Sequence, residues 1–229
     1  MNLLALDTAT ELCSAALWLD GAVRWRESSR AHSHSELILP MIEELLDEAG
    51  VELAQLDAIA FGRGPGGFTG VRLAAGVAQG LAFAAQLPLL PISDLRALAA
   101  QALLLSGGSQ WALICQDARM DEVYWGCFEL RGDQVHALAA EAVAAPGAVR
   151  LPPAWNGAQV AGAGSGFAAY AAQLADVAGQ LGALYPQLRP RAREIVQLAA
   201  QDGLGCAIPA EQALPVYLRD HVANPPSRN

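Results

Sequence analysis

The sequence predicts a mixed α/β protein of two lobes related by a degenerate internal duplication. Three observations carry this. Residues 1–105 read as three strands followed by helix, strand, helix, strand, helix. A similar pattern begins again at Trp111. Between the two halves lies Ser106-Gly107-Gly108-Ser109, the strongest boundary signal in the chain. The 229 residues suit one large domain or two lobes of roughly 100 residues each, and a hydrophobic content of 53% supplies a core.

Leu3 to Leu6 is an apolar run that ends in Asp7-Thr8-Ala9-Thr10. Cys13 to Leu19 and Ala22 to Glu27 flank Asp20-Gly21, a two-residue hairpin signal. Ser33 and Ser35 are candidate caps for a helix whose apolar positions Leu37, Ile38, Met41, Ile42, Leu45 and Leu46 recur at helical spacing. Gly50 ends it, and Pro40 sits early, where it costs least or introduces a kink. Asp57 to Phe61 is a short apolar strand running into Gly62-Arg63-Gly64-Pro65-Gly66-Gly67. A long Ala/Gly-rich helix follows from about Phe68 to Gln86, then a strand from Pro88 to Ile92. Ser93 or Asp94 caps a further helix through about Leu105.

In the second half Trp111 to Cys115 is a strand and Asp117 to Asp121 a polar turn. Val123 to Leu130 and Gln134 to Ala140 are strands joined at Arg131-Gly132-Asp133. Ala145 to Pro153 is irregular and Pro-rich. Gln159 to Ala161 leads into Gly162-Ala163-Gly164-Ser165-Gly166 and a helix from about Phe167, and Arg193 to Gln201 is another helix. This order predicts two ribonuclease H-like lobes facing each other across a cleft, the layout of the actin, sugar-kinase and chaperone (ASKHA) superfamily. The expected lobes are residues 1–106 and 107–229, with the final segment a candidate to pack back on the first lobe. A glycine turn ends a strand in each half, and ligands bind outside the carboxyl ends of such strands.

Composition excludes several chemistries. All 14 basic residues are Arg, and the chain has no Lys. A Walker A loop, a Schiff-base enzyme and a protein-kinase site each need a Lys. A net charge of −9 argues against stand-alone nucleic-acid binding, because phosphate contacts need a basic face. A GC-rich coding genome accounts for Arg in place of Lys and for the 47 Ala. No basic, apolar leader opens the chain, and no uninterrupted apolar stretch reaches the ~18 residues of a membrane span. Cys13, Cys115, Cys127 and Cys206 form no metal spacing and read as reduced structural thiols, so a cytoplasmic protein is expected.

Asp7-Thr8 at the end of the first strand is either a carboxylate facing a nucleotide's metal and phosphates or an Asp turn. Gly64 and Gly66 suit an anion at a helix N-terminus, and tight strand-to-helix turns need glycine too. Gly162 and Gly164 would lie beneath an adenosine, or simply form a turn. Gly76 and Gly80, four apart among alanines, fit core packing or a close helix–helix partner. His32, His34, His136 and His221 show no ligand spacing and read as solvated or locally hydrogen-bonded.

Leu4-Ala5-Leu6-Asp7-Thr8-Ala9-Thr10, His34-Ser35-Glu36 with Leu39-Pro40, and Gly64-Pro65-Gly66-Gly67-Phe68-Thr69-Gly70-Val71-Arg72 resemble the TsaB (YeaZ) family. So do Asp117-Ala118-Arg119, Glu122-Val123-Tyr124 and Pro215-Val216-Tyr217-Leu218-Arg219. The resemblance implies a non-catalytic paralogue of TsaD that serves as scaffold and activator in forming N6-threonylcarbamoyladenosine in ANN-decoding tRNAs. TsaD carries two metal-binding histidines four residues apart, and Asp94 and Leu98 stand at those positions here, so no metal or catalytic site is expected. The resemblance also implies a TsaD interface on the two N-terminal helices: Leu37, Ile38, Met41 and Leu45 on the first, and Phe68, Val71, Arg72, Gly76, Gly80 and Phe83 on the second. The same helices would form a homodimer in isolation. TsaE joins the complex, and tRNA is expected only within it. No cofactor is required, and Asp7, Thr8 and the glycines at 64, 66, 162 and 164 would form a vestigial ADP/ATP cleft. The rival reading is a nucleotide-dependent enzyme or a peptidase-like protein acting alone.

Overall fold

The two halves of the chain build two sheets with one strand order. The computed structural model describes residues 1–30, 33–155 and 159–219. His32 and His221 lie outside them. In the first sheet, β1 (Leu3–Asp7), β2 (Cys13–Leu19), β3 (Ala22–Ser28), β4 (Ala58–Gly62) and β5 (Leu89–Ile92) lie in the order β3-β2-β1-β4-β5. β1, β2 and β3 pair antiparallel, whereas β1, β4 and β5 pair parallel. The second sheet comprises β6 (Trp111–Arg119), β7 (Glu122–Arg131), β8 (Gln134–Ala137), β9 (Ala142–Ala144), β10 (Val160–Ala163) and β11 (Ala183–Tyr185). Its order β8-β7-β6-β10-β11 repeats that of the first, with β9 added alongside β7. These are two ribonuclease H-like lobes of the ASKHA type, as the strand pattern predicts. Asp20 and Gly21 make the first hairpin with φ of 49° and 84°, the left-handed pair that a two-residue turn requires.

The helices are α1 (His34–Ala49), α2 (Phe68–Ala85), α3 (Asp94–Leu105), α4 (Gly166–Ala169), α5 (Ala175–Ala178) and α6 (Ala192–Asp202). β1 is buried on both faces, so it reads as a continuous apolar run. Leu4 and Leu6 point to a core shared with α1 and α2, and Leu3 and Ala5 to one shared with α3 and α6. Although the strands divide at residues 106–109, the helices cross over. α3 packs on the second sheet, and α6 packs on β1 and β2 of the first. Both therefore lie in a central layer between the sheets. Half of that layer's buried residues are alanine, among them Ala5, Ala60, Ala97, Ala99, Ala112, Ala161 and Ala199. Small side chains let two helices fit between two sheets, so the alanine content has a packing role beyond codon usage. Arg96 fastens the layer, donating to both carboxylate oxygens of Asp202 (2.6 and 2.8 Å) and to the Val135 carbonyl (2.7 Å).

Three local expectations change. Ser33 occupies the α1 N-cap, but its carbonyl rather than its side chain accepts from Glu36 and Leu37. The helix expected from Phe167 is two short turns, α4 and α5. Tyr170 leaves helical geometry (φ −126°, ψ 40°) and its hydroxyl donates to Asp117 Oδ1 at 3.1 Å, so a tertiary bond overrides local propensity. Length and composition alone would let α2, with a mean hydropathy of 1.2, span a bilayer, although Thr69, Arg72 and Gln79 interrupt the run; only 28% of it is buried.

The central layer has no room for larger side chains. Ala97→Leu should lower unfolding free energy by about 1–3 kcal/mol, whereas Ala84→Leu on the exposed side of α2 should stay within about 0.5 kcal/mol of the parent. Urea denaturation midpoints check both.

Candidate functional site

The turn between β4 and α2 is built around contacts only glycine allows. A Cβ on Gly62 would strike the carboxylates of Asp7 and Asp94. One on Gly66 would lie 2.7 Å from the Ala9 carbonyl oxygen, and one on Gly70 would strike the Thr8 carbonyl. Thr8 Oγ1 donates to the Gly70 carbonyl at 2.7 Å, and the Gly67 N–H donates to the Ala9 carbonyl at 2.7 Å. Gly64 has φ 96°, and its N–H donates to Asp94 Oδ2 at 2.5 Å. The second lobe repeats the device. A Cβ on Gly164 (φ 109°) would strike the Cys115 carbonyl, and one on Gly162 the side chains of Leu181 and Leu184. Of the four glycines expected at a nucleotide cleft, Gly64, Gly66 and Gly164 are thus required by the chain's own backbone, whereas Gly162 faces only the flexible ends of two leucine side chains.

Beneath the first turn Asp7 and Asp94 are wholly buried, and Asp7 Oδ2 and Asp94 Oδ1 each lack a hydrogen-bond donor among the described residues. Burial raises the Asp7 carboxyl to about 7, although it accepts from the Ala9 N–H at 2.9 Å. Burial, and then the charge of Asp7, pushes Asp94 well above the carboxylate range. Two carboxylates in one dry site cannot both ionise, so the pair retains a proton at neutral pH. Glu141, bonded by Ser93 and facing Arg63 at 3.7 Å, is also raised by burial. Leu98, at the second histidine position of the resemblance, is sealed in the central core.

The outer side of α2 is different. Phe68 is 59% and Phe83 83% exposed, and Arg72, Gly76 and Gly80 lie between them on the same stripe. A Cβ on Gly76 or Gly80 would meet nothing within 4 Å, so no intramolecular contact explains glycine there. On α1, Leu37 and Met41 are half-buried. Of the residues named for the interface, Ile38 and Leu45 are instead fully buried in the first lobe's outer core, and Val71 is fully buried beside the Gly64 turn. The helical period turns 38, 42 and 45 inward together, which leaves Leu39 and Pro40 outward. Sequence reasoning also missed Leu214 and Tyr217. Tyr217 lies 6.1 Å from the Phe68 ring, and the Arg72 guanidinium sits over both rings at 3.2 Å from Phe68 and 5.1 Å from Tyr217. The motif Pro215-Val216-Tyr217-Leu218-Arg219 marks that segment in the sequence without indicating its position in the fold.

Two like-ordered ribonuclease H-like sheets, each with a glycine turn at the end of a parallel strand, place the protein in the ASKHA class. The profile of the family described as TsaD, tRNA N6-adenosine threonylcarbamoyltransferase, matches residues 26–226. The tRNA threonylcarbamoyladenosine biosynthesis protein TsaB of Escherichia coli is 38% identical over 97% of this chain and 96% of its own length. TsaB of Haemophilus influenzae is 51% identical over 55% of this chain and 52% of its own. The solved structure of YeaZ from Pseudomonas aeruginosa superposes with a TM-score of 0.87 at 45% identity, covering 95% of this chain and 99% of that one. The chain belongs to the TsaB (YeaZ) family.

The buried pair sets a pH dependence. Asp7 binds its proton up to about pH 7 when folded and only to about 3.8 when unfolded, so its contribution is full below about pH 4 and is lost as pH rises to about 7. Asp94→Asn keeps an acceptor for the Gly64 N–H and supplies a donor to Asp7. It should flatten the fall in Tm between pH 5 and 8 and raise Tm at pH 8 by about 2–4 °C, read by calorimetry across that range.

Proposed function

We propose that this protein is the scaffold and activator subunit of the assembly that forms N6-threonylcarbamoyladenosine in ANN-decoding tRNAs. It binds TsaD through the outward faces of α1 and α2, leaves the transfer chemistry to TsaD, and supports recruitment of TsaE. The observation that carries the interface is the open stripe at Gly76 and Gly80, flanked by exposed Phe68 and Phe83. Mid-helix glycine costs about 1 kcal/mol relative to alanine, and among the described residues no contact at Gly76 or Gly80 offsets it. A second helix approaching closely does. In the absence of TsaD the same stripe pairs two copies of the chain. A net charge of −9 favours tRNA contact only within the complex. Its four free thiols suit the reducing cytoplasm. In this reading no bound nucleotide is required, and the close backbone contacts at Gly64, Gly66 and Gly164 supply a packing reason for those glycines.

Gly80→Arg places a long cation in the stripe without touching the fold. It should abolish co-elution with TsaD on size exclusion and threonylcarbamoyl transfer by the reconstituted assembly, while the Tm of the isolated chain stays within about 2 °C of the parent. Unchanged co-elution overturns the interface.

A further inference from the structure

After α6 the described chain runs back onto the first lobe before Arg219. It returns along the first sheet, where Ile208 and Leu89 exchange backbone bonds of 2.8 Å, and Ala213 enters the outer core. Gln79 Nε2 donates to the Ala213 carbonyl at 3.0 Å, and the Val216 N–H donates to the Arg63 carbonyl at 2.7 Å. Arg219 then fastens the segment to the second lobe. It donates twice to Glu122 Oε2 (2.9 and 2.5 Å) and once to the Ala118 carbonyl (3.1 Å). This strap is held at both ends, yet its middle is not buried: Leu214 is 68% and Tyr217 48% exposed. Between strap and α2 runs a groove of about 460 Å³, lined by Arg72, Gly76, Gln79, Leu214, Pro215 and Tyr217.

Arg72 is the one charged residue of α2, and among the described residues it has no carboxylate partner. Its guanidinium is stacked on two aromatic rings, which fixes the plane and leaves the N–H edge available for a planar, bidentate acceptor. We propose that residues Ala213–Arg219 form a second element of the docking surface, and that Arg72, clamped by Phe68 and Tyr217, is its charged anchor for a carboxylate on the docked partner. The inference rests on the proposed docking of TsaD at α2 and adds the chemistry of the site: the occupant presents an acidic side chain beside an apolar one, the first to Arg72 and the second to the groove. An apolar α2–strap groove whose one α2 cation forms no ion pair among the described residues is complementary to that pattern. A second copy fits it less well, since two bodies of charge −9 repel. Arg219 is a positioning residue, acting through Tyr217.

The test is titration calorimetry of the full chain with TsaD at 50 and 300 mM salt, alongside sedimentation of the chain alone. Arg72→Gln should weaken binding about tenfold or more at low salt and less at high salt, as loss of an ion pair requires. Tyr217→Ala and Leu214→Ser should weaken it about tenfold at both. Arg219→Ala should follow Tyr217→Ala and add nothing to it in the double variant. If Gly80→Arg abolishes binding while the Arg72 and Tyr217 variants stay within twofold, the strap proposal is overturned and the α2 interface stands. If those variants change only self-association, the occupant is a second copy and the proposal is overturned. If Gly80→Arg leaves binding intact, the underlying interface falls, and the strap with it.

Discussion

The contact on which the rest depends is the seating of the α2 N-terminus on the turn after β1. Thr8 and Ala9 offer two carbonyls and a hydroxyl; Gly66 and Gly70 approach them at distances no side chain permits, and the Gly67 N–H donates to Ala9. This fixes where α2 starts and how it crosses the first sheet. It also closes over Asp7 and Asp94, which meet at the bare face of Gly62. Once α2 is seated, the helical period decides the remainder. Val71, Ala74, Ala75, Ala78 and Ala82 turn inward, and the stripe from Phe68 to Phe83 turns out.

Glycine therefore does two kinds of work in one short stretch. At 62, 66 and 70 it admits the chain's own backbone or carboxylates, whereas at 76 and 80 it faces open space. The first kind stabilises the monomer and the second weakens it. The alanine-filled layer between the sheets, with the Arg96–Asp202 pair across it, supplies the cohesion that lets α2 keep an apolar, glycine-containing face in water. Cohesion comes from the middle of the molecule, and the exposed apolar stripe lies at its outer edge.

Much of this was legible in residue order. Asp20-Gly21, the alternation of strands and helices, the Ser106–Ser109 break and the glycine turn located the hairpin, both sheets and the start of α2. What pattern could not show was which sheet each helix would cover. α3 and α6 are apolar on more than one side, because each lies between two sheets, and periodicity has no term for the far neighbour. The same limit explains Ile38, Leu45 and Val71. An apolar stripe looks alike whether it meets its own sheet or another chain, and only the fold separates the inward from the outward positions. Tyr217 was beyond reach for a different reason. Its contact with Phe68 and Arg72 joins residues about 145 apart in sequence, through a segment without regular structure.

The buried carboxyl pair is the feature most open to a catalytic reading, since an acid held near neutral pH is what a general base requires. Geometry points the other way. A general base must come within hydrogen-bond reach of the proton it takes, and neither Asp7 nor Asp94 has any exposed surface. Gly62, the Gly64 N–H and the turn above them enclose the pair. Where the resemblance places a second histidine, Leu98 extends into the central core instead. The proton between Asp7 and Asp94 thus neutralises a like-charge contact that the tight turn creates. The perturbation follows from the same close approach that seats α2, and its consequence is structural: it ties the position of α2 to the protonation of the site beneath it.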